Sequence, residues 1–598
     1  MKRKNIFHIN LGIILFLLLL NSCEEVLEVT PSDKVSIDRL LNKEDPLRDF
    51  RDNCYLKLNK SFTVHSDGAP LEVYSDDAFM AGTGSTFDWH NAQLSTTKTF
   101  MGVKIWNDCW EGIRKCNLAI TYIPKSTVPK DKLDDETLNM WVAEAKLLRA
   151  WYHFELIKNF GAVPFVDKPL EPGFAGWADL KRPSFEEIAS RIAQECDEVI
   201  EDDHLPLRYQ VAGEYGLVNK AVAYALKSRV LLYNASTLNN PNEDAEKWQR
   251  AATAAQECLS AIGNDYGLLS MSDYGLLFSD SYTTQNNEII LASNTNSAAT
   301  LNENNGVDLK ALGTVKQSSN CGAVPTQELV DCFELTDGTL PISAYNTAEH
   351  TDVTFAEGYN ETTGADIYAN RDMRLSAAIA YNGINYGRYP GQPAASSDLV
   401  IYTYEGKDGT GYNPSFTSQD ELDKRRSTTG YYSKKFRSAS YWGSTPGGTN
   451  SFKIYFRLAE IYLNLAEAQC EAGNLDAAKI ALNMVRQRAG QPAIADVPGF
   501  QNTKAFIIKR IRNERRVEFC FEGHRFYDQR RWKVLAQTNE VISGMKITST
   551  GGDNGPFSYE RVKIDVPRNA TSDRYLVLPI HFEEARRLTG MGQPDAWN

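Results

Sequence analysis

Motif-borne catalysis is what this chain of 598 residues most clearly lacks. It contains no Cys-x-x-Cys, no His-Glu-x-x-His, no Gly-x-Ser-x-Gly and no Walker-type phosphate loop. Its eight histidines are scattered, so no close set of His, Cys and carboxylate has zinc spacing. These gaps remove the usual sequence grounds for metal-assisted hydrolysis, serine acyl transfer and nucleotide binding. Gly82-Thr83-Gly84-Ser85 is too short to cradle a phosphate, and Asn302 to Gly306 lacks the carboxylate ladder of a calcium loop. Two carboxylate clusters exist, Asp76-Asp77 and Asp134-Asp135-Glu136. Glycoside hydrolysis takes its acid and base from separated segments that face each other across the sugar. Surface solvation or helix capping is therefore the expected role of both clusters. The chain reads as a binding protein, not an enzyme, with no cofactor and no metal.

Positive charge is also short. Lys and Arg number 64 against 77 Asp and Glu, a formal charge of −13, and an acidic body argues against nucleic acid as a partner. Beyond Leu20 no apolar run is long enough to span a bilayer. Nine cysteines follow Cys23, an odd number. Cys116, Cys196, Cys258, Cys470 and Cys520 lie in helix-like contexts and read as small buried hydrophobes. Cys109 and Cys116, seven apart on one helix, stand about 10 Å apart and cannot bridge. Cys321 and Cys332 are the pair to check if the compartment is oxidising.

The one long apolar run sits at the start. Lys2, Arg3 and Lys4 precede the apolar Leu11 to Leu20, and Leu20-Asn21-Ser22-Cys23 follows. The run is too short for a membrane span but suits a secretory signal. Its end looks like a bacterial lipobox, in which Cys23 becomes the first mature residue and carries acyl chains into a membrane.

Helical periodicity dominates both ends of the mature chain. Ala143 to Phe160 places Leu148, Trp151, Tyr152 and Leu156 at 3–4 spacing, with Gly161 as the stop. Its aromatic stripe, Trp151, Tyr152 and Phe154, reads as core. Val218 to Asn234 and Ala245 to Ile262 form a helix pair joined through Asn239 to Asn242. Tyr455 to Arg488 has the aromatic, Leu, small-residue and Gly473 positions of a tetratricopeptide helix-turn-helix, although Gln469 departs from the pattern. One such pair cannot bury its own face, so several must stack. From about Ser293 to Thr449 the periodicity fades, and Gly, Ser, Thr, Asn and Tyr prevail. Such loops either form a recognition surface or are stitched together by their tyrosines. The expected organisation is a signal peptide at 1–22, a helical region at 23–290, a loop-rich region at 291–450 and a second helical region at 451–598.

Ile511 to Trp532 concentrates arginines, carboxylates and large apolar residues around a break at Glu522-Gly523. That combination describes a helical hairpin with charges close to a buried face. Arg515, Arg516, Arg525 and Arg531 are expected to hold Glu514, Glu518, Glu522 and Asp528 in bidentate pairs. Interleaved carboxylates make the block a poor basic patch for nucleic acid.

The block closely resembles the E-x-x-x-E-F-x-x-E-G-x-R-x-x-D-x-x-R-W segment of the SusD/RagB family, here Glu514 to Trp532. Leu578-Pro579-Ile580 followed by Glu584 resembles that family's L-P-I-P-x-x-E, with His581 in place of the second proline. The resemblance implies a mainly α fold: tetratricopeptide-like helix pairs in an α/α superhelix, with an irregular loop-rich region laid against them. It also implies an outer-membrane lipoprotein, anchored through Cys23 and facing the cell surface, with Glu24 and Glu25 resembling acidic export tags. Such a protein captures nutrients, most naturally oligosaccharides, and delivers them to a SusC-like TonB-dependent transporter. Carried over from the family, Trp89 and Asn91, with Asp77 nearby, are expected on the ligand face. Trp89 in its Gly-flanked polar loop has no helical stripe to join, and Tyr441 and Trp442 form a second platform candidate. The tyrosines between Tyr381 and Tyr432 are the fallback. Two alternatives stay open: a peptide binder of the same fold, favoured by the aromatic-free Asn294 to Asn320, and a lipid-anchored protein scaffold.

Overall fold

Five long helices begin at a side chain that accepts an otherwise free N–H group of their first turn. Asp134 accepts from Thr137 N, Asn219 from Val222 N, Asp244 from Glu246 N and Thr503 from Phe506 N. Ser184 and Glu187 form a reciprocal capping box. The acidic cluster at Asp134 is thus a helix cap. A computed structural model describes residues 37–58, 70–80, 88–171, 173–278, 286–293, 323–387, 398–407, 410–414, 426–436 and 453–598. Cys23, Cys321, Tyr441, Trp442 and the Asn294 to Asn320 stretch lie outside these residues.

The helices stack in chain order. Glu44–Tyr55, Gly102–Tyr122, Asp135–Phe160, Phe185–Glu201, Lys220–Ala235 and Ala245–Ile262 each pack on the next. Leu458–Glu471 then packs on Ala245–Ile262 and continues the array through Leu475–Arg488 and Lys504–Glu518. Gly473, at φ +90°, turns the chain between two of them, a conformation open to glycine without steric cost. Gly112 sits where a Cβ would lie 2.6 Å from the Tyr152 ring, so glycine lets its helix approach Asp135–Phe160 closely. Trp151, Tyr152 and Phe154 are buried, as their spacing requires. The mainly α, tetratricopeptide-like reading holds.

The chain leaves the array through Ile289–Ala292 and returns through Ile454–Arg457, and these two strands pair antiparallel. Between them, the described residues form short antiparallel pairs, Ile342–Tyr345 with Val353–Phe355 and Ile384–Gly387 with Leu399–Ile401. The C-terminal hairpin of Ser543–Ser549 and Phe557–Lys563 joins this second region. Gly430, at φ +82°, lies so close to it that a Cβ would stand 2.2 Å from the Met545 carbonyl oxygen. Phe79, Val324, Ile401, Tyr432 and Ile542 give the region its own small core.

Buried charge joins the two parts. Glu518, fully buried on Lys504–Glu518, accepts hydrogen bonds from Arg374 of the second region (2.8 Å), Arg457 of the returning strand (2.5 Å) and Arg488 of the array. Glu522 takes both Arg457 Nε and Nη2 at 2.8 Å, and Lys435 Nζ at 2.9 Å. Glu514 holds Arg374 and Arg486, while Glu288 holds Arg457 and Arg488. Burial alone would raise the Glu518 carboxyl, but Arg488, Arg457 and Arg374 outweigh it and hold it well below the usual carboxylate range.

The pairing expected inside the Ile511–Trp532 block therefore needs correction. Only Asp528 finds its arginines within it, Arg531 at 2.7 Å and Arg515 at 3.3 Å. Arg531 also grips Glu467 with two bonds of 2.6 Å. Arg525 makes a bidentate pair with Asp76, 2.8 Å to each oxygen, and Arg516 Nε donates to Asp77 at 2.6 Å. Asp76-Asp77 is neither solvated nor a cap. The hairpin is packed on several sides, so each charged side chain pairs with the element it faces and not with its neighbour in sequence.

Glu72 adds a pH-sensitive group to this junction. Its Oε1 accepts from Gly523 N at 2.5 Å. Burial pushes its carboxyl up to about 7 against that hydrogen bond, with Asp77 and Glu522 adding to the rise. Between the ordinary carboxylate range and that value, the folded protein holds a proton that the unfolded chain has released. Stability contributed at this position therefore falls as pH rises through the window. Glu72→Gln keeps the acceptor and removes the charge. It should be more stable than the parent by about 3 kcal/mol at pH 8 and equal to it near pH 4.5. Urea unfolding at the two pH values checks this, and a pH-independent difference rules it out.

Candidate functional site

Trp89 is not an exposed platform. Its ring is fully buried among Tyr74 (6.0 Å between centroids), Phe100 (5.2 Å), Phe526 (5.4 Å) and Tyr575 (5.4 Å). Two of those rings come from more than 400 positions away in sequence, which is why the local loop gave no sign of a core. Asp77, fully buried against Arg516, also leaves the ligand face. Asn91, half-buried beside them, keeps contact with solvent.

The tyrosines of the second region divide into two groups. Tyr431 and Tyr432 are fully buried, and Tyr431 Oη donates to Gln327 at 2.6 Å, so these stitch the region together. Tyr402 and Tyr404 stay half-exposed and flank Phe557 of the C-terminal hairpin. Each ring centroid lies 6.0 Å from that of Phe557, with interplanar angles of 32° and 31°. Tyr404 Oη donates to Asp553 Oδ1 at 2.9 Å, and Lys407 Nζ donates to the same carboxylate at 2.7 and 2.8 Å. The Lys407 hydrogen bond lowers the Asp553 carboxyl against slight desolvation, and Tyr404 adds to the effect. Tyr402 and Tyr404 are tilted 59° to each other, with Phe557 between them in angle and Lys407 Nζ 5.4 Å from the Tyr402 centroid. Such an angled aromatic surface, with a carboxylate, a hydroxyl and an ammonium beside it, can contact an apolar sugar face and bind its hydroxyls.

Half of this platform is legible in sequence, because Tyr402 and Tyr404 fall in the tyrosine-rich stretch. Asp553 and Phe557 lie about 150 residues on, in a hairpin with no aromatic signature of its own. Among the described residues no group of three His, Cys, Asp or Glu can hold a metal ion. Within the same residues no helix is long and apolar enough to cross a membrane.

Comparison with known proteins agrees with this architecture. The model of the SusD family matches residues 276–597, and a second, described as starch-binding associating with outer membrane, matches 27–232. A solved SusD-like protein of Bacteroides fragilis is 25% identical, with a TM-score of 0.73 over 94% of this chain and 100% of that one. A SusD-like carbohydrate binding protein of the same species is 22% identical, with a TM-score of 0.65 over 92% and 99% of the two chains. A surface glycan-binding protein A of Bacteroides uniformis shares the fold at 18% identity, with a TM-score of 0.59 over 93% and 100%. No curated protein matches. The first family match covers more than half of the chain and contains both the Glu514–Trp532 block and the Leu578–Glu584 segment, so this chain belongs to the SusD/RagB family.

Proposed function

We propose that the protein is an outer-membrane lipoprotein, anchored through Cys23 at the cell surface, that captures oligosaccharides without chemistry and passes them to a SusC-like TonB-dependent transporter. The observation that carries this reading is the Tyr402–Tyr404–Phe557 platform with its Asp553 and Lys407 edge. It sits on a region clamped to a rigid helical array by buried ion pairs, so little ordering is left for ligand binding to supply. The glycan-binding descriptions of the Bacteroides relatives support the ligand class, and the lipobox supports the anchor. Asn91, Tyr441 and Trp442 remain proposed ligand residues in addition to those of the platform.

A glycan array probed with the purified mature protein tests the ligand class. With the strongest hit, Tyr404→Ala or Trp442→Ala should weaken binding about tenfold while leaving unfolding unchanged. Binding to peptides and to no glycan would replace this reading by the peptide-binding alternative. Cys23→Ala should move the protein from outer membranes to the soluble envelope fraction, and continued membrane association after a salt wash would refute the anchor.

A further inference from the structure

We propose that the helical array carries a second ligand site, a tryptophan-lined cleft for a neutral saccharide segment. The proposal rests on the glycan-binding reading and adds a site distinct from the tyrosine platform. The cleft, about 860 Å³, opens between helix Gly102–Tyr122, residues 166–171 and 173–178, and the C-terminal helix Phe582–Arg587. That volume lies within the range of small-molecule sites, about 300–1,000 Å³, and its concavity suits a short ligand better than a flat protein surface.

Tryptophan placement carries the argument. Among the described tryptophans only Trp110 and Trp177 are not buried, and both line this cleft. Trp106, buried beneath, meets Trp110 edge-on at 5.6 Å and fixes that ring. Trp177 is braced in its turn: Phe174 folds back to meet it edge-on at 5.5 Å. Gly176 makes that fold possible, since a Cβ there would stand 2.4 Å from the Phe174 ring. Two half-exposed indoles held in place on two different elements of one cleft are pre-oriented stacking surfaces.

The rim sets the ligand's charge. Arg114, Lys168 and Arg587 are matched by Glu111, Glu171 and Glu584 around the opening. Several are already neutralised within the fold: Glu111 pairs with Lys57 at 2.7 Å, and Arg587 with Glu584 at 3.0 Å. With those pairs formed, Arg114 and Lys168 face Glu171, a difference of one charge that holds an anion only weakly, whereas hydroxyls can use both donors and acceptors. The chemical class that fits two indole faces and a nearly charge-balanced polar rim is an uncharged oligosaccharide.

The test compares mature wild-type protein, Trp177→Ala and Tyr404→Ala on one array of neutral and acidic glycans, with thermal unfolding as the folding control. Trp177 lies on a half-exposed turn, so its variant should unfold like the parent. At least one neutral glycan should lose tenfold or more in binding to Trp177→Ala and keep its binding to Tyr404→Ala. Wild-type binding that Trp177→Ala leaves intact for every glycan would overturn the second site and leave the glycan reading standing. Wild type that binds no glycan would overturn both. Unchanged glycan binding with lost co-purification of the transporter would assign the cleft to a protein contact and likewise overturn the proposal.

Discussion

Replacing Glu518 by alanine is expected to destabilise the protein by about 3–5 kcal/mol, the usual cost of stranding one side of a buried ion pair. Glu518 sits at the upper end of that range because Arg374, Arg457 and Arg488 all lose an acceptor at once. These arginines come from the second region, the returning strand and the helical array. The loss should therefore fall on the junction between the two parts before it reaches either core. Urea unfolding read by circular dichroism should show a lower midpoint. Limited proteolysis should cut within residues 293–453 at urea concentrations that leave the array helical. An isosteric Glu518→Gln variant should recover part of the loss, since it keeps the oxygen acceptor and removes only the charge. Unfolding of Glu518→Ala within about 0.5 kcal/mol of the parent would mean that the network does not hold the parts together.

Trp89→Ala should cost a comparable amount, about 3–5 kcal/mol, because it removes a fully buried indole from a cage of four aromatic rings. The sequence alone points the other way, to an exposed ring whose loss would weaken binding and spare stability. Calorimetric titration of the folded variant with the glycan-array hit should return the wild-type affinity. A variant that unfolds normally but binds at least tenfold more weakly would return Trp89 to the ligand face.

Much of this protein is written locally. Capping residues, stop glycines and 3–4 spacing act within a turn or two, so the helix pairs and the Glu522-Gly523 break are legible without a structure. The Glu514–Trp532 block goes further, because so many charges beside large apolar residues must be buried and paired, and its pattern names the family. Tertiary structure decided which partner each charge takes. Arg525 pairs with Asp76 across 449 positions, and Glu518 with Arg374 across 144. It also decided which aromatics reach solvent. Trp89 is covered by Phe526 and Tyr575, whereas Tyr402 and Tyr404 gain Phe557 and Asp553 from a distant hairpin. Trp110 and Trp177 share a cleft that neither one's surroundings in sequence disclose. Periodicity fixes which way a side chain points on its own element, but burial and pairing depend on what is packed opposite, and that is chosen only when distant segments dock.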